Sequence, residues 1–271
     1  MSQNNLLQLE NILFTVALVA YVLSMVGYFI TYATKSEKLE RISKLLVIAG
    51  FVLQTGAIVA RGIGAGRPPL SNQYEFATSF AWAIALFFLL FNRKYPYQAM
   101  GTFILPIVVL MIGYAATTNK EVRPLMPALQ SGWLVVHVFL AIMAYGSFSV
   151  AGGVGAMYLV KDSGRGANLP PTDKLDNISY RAVVIGFLCI SLTIITGALW
   201  AHKAWGRFWA WDPKETWSLI TFIIYTAYLH MRRSRNMRGR KAAWFAVIGL
   251  IAVLFTYIGV NTLLPSLHSY A

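Results

Sequence analysis

The sequence predicts an all-α integral membrane protein, a polytopic bundle of about eight transmembrane helices. Hydrophobic residues make up 57% of the 271 residues and charged residues only 12%. The charged fraction of an ordinary soluble domain is about 25%, or roughly twice as high. The apolar residues are also grouped into runs of about 20, the length that crosses a bilayer as a helix. Together these two observations exclude an ordinary soluble domain.

Eight apolar runs are candidate spans, and loops join them in order. They cover 9–32, 43–63, 75–91, 98–116, 131–160, 178–201, 215–234 and 242–264. The third run is short and the fifth is long, and a long helix can tilt or continue beyond the bilayer. Residues 1–8 contain no Lys or Arg, so we expect the first helix to be retained rather than cleaved as a signal peptide. The spans and loops use the whole sequence, which predicts a single polytopic membrane domain over 1–271.

The basic residues predict the orientation. Of the 23 Lys and Arg residues, 16 lie in the connections 33–44, 92–97, 161–181 and 231–241. Because basic loops stay on the cytoplasmic side, both termini and the connection after the sixth span are expected on the non-cytoplasmic side. The net charge of +13 then anchors the loops to the lipid bilayer. Nucleic-acid binding is excluded, since the charge is dispersed over several loops rather than gathered on one folded module.

The connection after the sixth span is rich in tryptophan. Residues 205–217 read W-G-R-F-W-A-W-D-P-K-E-T-W, with tryptophans four, two and six residues apart. Tryptophan is common at membrane interfaces, and an aromatic belt would explain one or two of these residues. A belt requires neither a fixed spacing nor neighbouring acids. The pattern therefore predicts a specific site.

This segment resembles the tryptophan-rich WWD signature, W-G-x-x-W-x-W-D, of membrane proteins that present haem for attachment to c-type cytochromes. The following P-K-E-T-W resembles the CcsA/ResC family, subunits of the System II cytochrome c synthase. Residues 66–76 are also similar to that family's outer loop before the third helix. The resemblance implies that 202–217 form an external loop that handles haem b. The cofactor-binding residues it implies are Trp205, Gly206, Arg207, Trp209, Trp211, Asp212, Glu215 and Trp217.

The predicted topology places the four histidines toward two different sides of the membrane. His137, His202 and His268 are predicted toward the outer side, while His230 follows Trp217 by 13 residues, about 20 Å along a helix, and is predicted near the cytoplasmic end of its span. A single helical histidine is often a hydrogen-bonded packing residue, although ionisable groups in a membrane tend to mark a site. The resemblance implies that His137 and His268 are the external axial ligands of haem iron and that His230 belongs to an inner site. His202 is interpreted as a loop residue near a propionate.

The charged residues of the loop have two interpretations each. Asp212 before Pro213, with Glu215 three residues later, predicts a helix N-terminus with a capping box. A direct role of the two acids in positioning the apocytochrome is the alternative. Arg207, Lys203 and Lys214 are suited to haem propionates, Arg207 best because its planar group can bind a carboxylate through two bonds. Contact with lipid phosphate is the other interpretation.

The implied activity is addition of the two thiols of an apocytochrome Cys-x-x-Cys-His segment to the haem vinyl groups, so the chain needs no nucleophile of its own. A CcsB/ResB-like membrane subunit is the expected partner. One alternative function is that of a CcmC-type protein loading a haem chaperone, and another is a cytochrome b or transporter with permanent haem. The expected location is a bacterial plasma membrane or a thylakoid membrane.

Overall fold

The computed structural model describes residues 2–264, and helices are the regular elements of this part of the chain. The first four are α1 (Gln3–Thr34), α2 (Glu37–Ala65), α3 (Gln73–Lys94) and α4 (Ala99–Thr117). After a 3-10 turn at Pro127–Leu129 come α5 (Gly132–Asp162), α6 (Thr172–Trp205), α7 (Pro213–Ser234) and α8 (Arg240–Leu254). A π-helical turn at Phe255–Gly259 then leads into the short α9 (Val260–Leu263).

The predicted all-α membrane fold is confirmed. Within the described part, seven helices are long and apolar enough to cross a membrane, the last of them running through the π turn from Arg240 to Leu263. The predicted span at 215–234 is also helical, as α7, but it is not among the seven. Polar and basic residues at both of its ends shorten its apolar stretch. The described part of the chain is therefore that of an integral membrane protein, with seven helices that meet both the length and the hydropathy criterion and α7 as a further helix of 22 residues.

Several helices extend beyond the apolar runs that predicted them. The longest, α6, has 34 residues and thus a length of about 50 Å, against about 30 Å for the hydrocarbon core. It begins at Thr172 and ends at Trp205, so the gap between the fifth and sixth predicted spans (131–160 and 178–201) is reduced to nine residues between Asp162 and Thr172. Helix ends depend on caps and turns, which an apolar run does not reveal.

The chain divides into two compact units, one ending at Arg123 and the other beginning at Pro124. The prediction of a single membrane domain stays a prediction. In the first unit α1 packs along α2, and small residues allow a close approach. A Cβ atom on Gly27 would collide with Ser43, whose carbonyl accepts a hydrogen bond from Ser24 Oγ.

A buried ionic cluster joins α1, α2 and α3 in the first unit, and we call it the Glu75 cluster: Glu10, Arg61, Arg67, Tyr74 and Glu75. The Glu75 carboxylate accepts hydrogen bonds from Arg61 Nε at 2.9 Å and from Arg67 Nη1 at 2.9 Å. Glu10 accepts a bond from the Tyr74 hydroxyl and lies 3.8 Å from Arg61. The cluster thus holds the connection between α2 and α3 against α1.

In the second unit α5 packs against α6 and α8, and α7 packs against α8. At one end Asp176, in the first turns of α6, forms a paired salt bridge with Arg232 in the last turn of α7, with bonds of 3.0 and 2.6 Å. The backbone N–H of Gly239 also donates to Asp176. The other end of the same helices carries the tryptophan-rich segment.

Candidate functional site

The tryptophan-rich segment contains only seven residues outside helices. Helix α6 ends at Trp205, where Gly206 adopts a left-handed φ of 74° and donates its N–H to the His202 carbonyl. Helix α7 begins at Pro213. Helices thus cover the first four and the last five residues of the predicted loop 202–217. This short connection restricts where each of its side chains can lie.

The two acids fold this connection. Glu215 accepts hydrogen bonds from the backbone N–H of Ala210 at 2.7 Å and of Asp212 at 3.2 Å. The Asp212 side chain, only 6% exposed, accepts from Lys214 N at 3.1 Å. The predicted N-cap and capping box are therefore confirmed. Both carboxylates are engaged with the backbone, so the structure assigns them a role in shaping the segment.

The tryptophans differ in exposure. Trp211 is 69% exposed and adopts a left-handed φ of 56°, which is costly for a residue with a side chain. Its ring meets that of Trp209 edge to face, with centroids 5.7 Å apart. The Trp209 Nε1–H is buried and has no hydrogen-bond partner among residues 2–264. Trp217 packs on Phe255 at 4.2 Å. An exposed indole on strained backbone and a buried unpaired donor are both features typical of a binding site.

His137 is tied to the beginning of this segment. Its Nδ1 lies 2.8 Å from the Thr193 carbonyl oxygen, and its ring stacks on Trp200 with centroids 6.0 Å apart. Trp200 is buried, donates its Nε1–H to the Ala128 carbonyl at 2.8 Å, and meets Trp205 at 4.8 Å. A continuous set of ring contacts therefore connects His137 in α5 with the end of α6.

The other histidines lie apart from this set of contacts. His202 is exposed in the last turn of α6 and stacks on Phe208 at 4.2 Å. His230 is exposed near the end of α7, whereas His137 is near the beginning of α5. Since α5, α6 and α7 are joined by short connections and run in alternating directions, His137 and His230 lie toward opposite ends of the unit. His268 lies outside the described residues.

The cations suited to propionates have different surroundings. Lys203 and Arg207 are exposed, while Lys214 is half-buried in the first turn of α7. Two exposed cations therefore flank the end of α6, close in sequence to the exposed indole of Trp211. Aromatic faces, an imidazole and basic groups together suit a flat ligand that has an apolar ring system and two carboxylates.

Sequence reasoning missed four residues at this end of the unit. Thr193, Gly197 and Trp200 share one face of α6 through their i, i+4, i+7 spacing, which was the available signal, but only the fold shows that His137 lies against them. Asn261 follows the π turn, and both polar atoms of its side chain are buried with no partner in the part of the chain that the structure describes. A π turn interrupts the helical periodicity, so the sequence gives no indication of where Asn261 lies.

Replacing Glu215 with Ala is expected to loosen the segment. Two backbone N–H groups would lose their acceptor, a cost of about 1–3 kcal/mol. Local opening should then rise about 5- to 150-fold, since 1.4 kcal/mol corresponds to a factor of ten. Trypsin cleavage after the exposed Arg207 measures this opening, with Glu121→Ala, an exposed acid of the first unit, as the control. Equal cleavage rates for Glu215→Ala and wild type would contradict the assigned role.

Comparison with known proteins identifies relatives over most of the chain. Residues 70–268 match the family model described as cytochrome C assembly protein. The chain is 36% identical to the cytochrome c biogenesis protein CcsA of Synechococcus sp. (strain RCC307), covering 85% of each chain. It is also 36% identical to the CcsA of Prochlorococcus marinus (strain MIT 9515), covering 87% of this chain and 85% of the relative.

A solved structure shares the fold. The cytochrome c haem lyase CcmF matches with a TM-score of 0.75 and 18% sequence identity, over 98% of this chain. The present chain spans 48% of the length of that protein. At this identity the likeness concerns the arrangement of helices.

Proposed function

The chain belongs to the cytochrome C assembly protein family, with CcsA proteins as relatives, and from its role in cytochrome c biogenesis we propose that it is the haem-handling subunit of a cytochrome c synthase. It receives haem b at an inner site, presents it at an outer site, and supports its attachment to apocytochrome c. The observation that carries this proposal is the contact of His137 with Trp200, which in turn contacts Trp205 at the edge of the tryptophan-rich segment.

The outer site has the groups that haem needs. His137 would supply one ligand of the iron, and the family resemblance assigns the second to His268, which lies outside the described residues. The exposed face of Trp211 packs on the porphyrin, and Arg207 binds a propionate. The acids act indirectly, because Asp212 and Glu215 hold the backbone that carries these groups.

The inner site requires a second protein. His230 lies on the exposed side of α7, on the same face as Ile223, which is 54% exposed. Its imidazole therefore points away from the protein core and is suited to share a haem with a histidine of a CcsB/ResB-like subunit. The orientation that the basic loops predict puts this site near the cytoplasm and the tryptophan-rich segment on the outer face of a bacterial plasma membrane or in the thylakoid lumen.

The reaction needs positioning rather than a nucleophile from this chain. Each thiol of the apocytochrome Cys-x-x-Cys-His segment adds its sulfur to one vinyl carbon and its proton to the other, so no net electron transfer occurs. His137 and His268 hold the iron while the tryptophans orient the ring plane. The histidine of the substrate would take the place of one of these two histidines on the iron. Orientation of this kind accounts for a large share of many enzymatic rate enhancements.

Absorption spectra of histidine variants test the proposal. The full chain is co-expressed with a CcsB/ResB-like subunit, and the purified complex is compared for wild type, His137→Ala, His268→Ala and His230→Ala. We expect a six-coordinate low-spin spectrum in wild type, loss of that spectrum in the two outer variants, and at least a severalfold decrease in total haem in His230→Ala. His202→Ala is the control for iron ligation: its ring stacks on Phe208 at the surface, so the six-coordinate spectrum should remain even where a propionate contact is lost.

Two results would contradict this function. Absence of haem from the wild-type complex would exclude haem handling. Identical spectra in wild type and all three variants would show that the ligands are other residues, and the tryptophan-rich segment would then be an interfacial belt.

A further inference from the structure

The ring of His137 rests on a surface of α6 that we call the His137 seat: the Thr193 carbonyl, Gly197 and Trp200. The carbonyl oxygen of Thr193 lies 2.8 Å from His137 Nδ1. A carbonyl oxygen only accepts hydrogen bonds, so Nδ1 carries the proton of the neutral ring. Nε2 is then the nitrogen that coordinates a metal ion.

Gly197 permits this arrangement by lacking a side chain. A Cβ atom at position 197 would lie 2.7 Å from both Cε1 and Nδ1 of His137, closer than carbon atoms approach one another in proteins. The ring therefore occupies the space that any other residue would fill. Its height above α6, and with it the position of Nε2, depends on this single glycine.

Trp200 forms the third side of the seat. Its ring lies at 23° to the plane of the imidazole, and its own position is fixed because its Nε1–H donates to the Ala128 carbonyl. Trp200 is 1% exposed, so its ring cannot swing into solvent. The 3-10 turn at Pro127–Leu129, which contains Ala128, thereby fixes the imidazole indirectly.

We propose that Gly197 and Trp200 are positioning residues for the outer haem: they fix the direction of the His137 ring, whose tautomer the Thr193 carbonyl sets, so that Nε2 meets the iron. This inference rests on the proposed function, in which His137 is an axial ligand. The hydrogen-bond partners of metal-bound histidines typically change metal affinity 10- to 100-fold when they are lost. Loss of the seat should therefore weaken haem binding by a comparable factor, although none of its residues contacts the haem.

The test compares glycine variants in the full chain co-expressed with a CcsB/ResB-like subunit. Gly197→Ala is expected to convert the low-spin spectrum to a mixed or five-coordinate one and to speed haem release to apomyoglobin about 10- to 100-fold. Added free imidazole should restore the low-spin spectrum, because the variant lacks only a correctly directed nitrogen. Restoration distinguishes a displaced ligand from an unfolded protein.

Two matched controls separate positioning from general destabilisation. Gly113→Ala adds a methyl group in the last third of α4, where no atom of the described residues lies within 4 Å, and should behave as wild type. Gly152→Ala places a Cβ atom 2.5 Å from Leu250 elsewhere in the second unit. It should lower the amount of folded protein but leave the spectrum of the remaining complex unchanged.

The outcomes are distinguishable. If His137→Ala loses the low-spin spectrum and Gly197→Ala keeps it, Gly197 does not position His137, while the proposed function stands. If His137→Ala itself keeps the wild-type spectrum, the ligand assignment fails and the seat fails with it. If Gly197→Ala does not accumulate in the membrane, Trp200→Phe is the deciding variant, because it removes the hydrogen bond to the Ala128 carbonyl and keeps an aromatic ring. Faster haem release from Trp200→Phe would support the positioning role, and a wild-type release rate would contradict it.

Discussion

Replacing Glu75 with Ala is expected to abolish folding of the first unit or to lower its thermal stability severely. The Glu75 side chain is fully buried and accepts hydrogen bonds from two arginines and from both the N–H and the hydroxyl of Ser71. Removing it leaves the guanidinium groups of Arg61 and Arg67 buried without their main counter-charge. Breaking a buried ion pair in this way costs about 3–5 kcal/mol. For a chain of this length such a loss lowers the melting temperature by roughly 6–20 °C.

Thermal unfolding of detergent-solubilised protein and the amount extracted from membranes measure this effect. Glu37→Ala is the matched control, since Glu37 is an acid of the same unit whose side chain is 79% exposed and pairs with Arg41 at 3.8 Å. Exposed pairs of this kind contribute little, so no measurable change is expected there. Glu75→Gln keeps acceptors for the Ser71 groups and should have an intermediate effect. A Glu75→Ala protein as stable as Glu37→Ala would mean that the Glu75 cluster does not hold the unit together.

Local sequence was sufficient to predict the beginning of α7. The three determinants Asp212, Pro213 and Glu215 lie within four residues of one another, and each acts on its own stretch of backbone. The same holds for the prediction of a membrane protein, because each span can be recognised from its own apolar residues. Such features could be read from the sequence because no distant residue decides them.

Tertiary contacts account for what the sequence did not reveal. His137 and Thr193 are 56 residues apart in the chain, so the imidazole contact with α6 depends on how α5 packs against it. Gly197 has no motif of its own, and its importance becomes visible only when a ring occupies the space beside it. Residues 66–76 were recognised as a loop resembling that of the family, but the pairing of Glu75 with Arg61 from α2 was not predicted.

The second large effect is expected for Asp176→Ala, at the opposite end of the second unit from the tryptophan-rich segment. The Asp176 carboxylate binds both Nη groups of Arg232, at 3.0 and 2.6 Å, and the N–H of Gly239 at 3.1 Å. The two side chains are 9% and 11% exposed, and the guanidinium also lies over the Tyr180 ring at 4.3 Å. Removal of the carboxylate leaves a nearly buried cation, and we expect a loss of about 3–5 kcal/mol.

This pair also bears on the proposed inner haem site, because Arg232 lies two residues beyond His230 in the last turns of α7. Without its anchor the end of α7 can move away from α6, and the direction of His230 is no longer fixed. Asp176→Ala is therefore expected to lose total haem as His230→Ala does, while any haem still bound keeps the low-spin spectrum of the outer site. Asp173→Ala, with an acid 71% exposed in the first turn of α6, is the control and should retain both stability and haem. His137 lies toward the other end of the unit, so Asp176→Ala should leave its surroundings unchanged. If the variant instead keeps its haem content and changes the spectrum of the outer site, the two sites are coupled. The Asp176–Arg232 pair would then not act on the inner end of α7 alone.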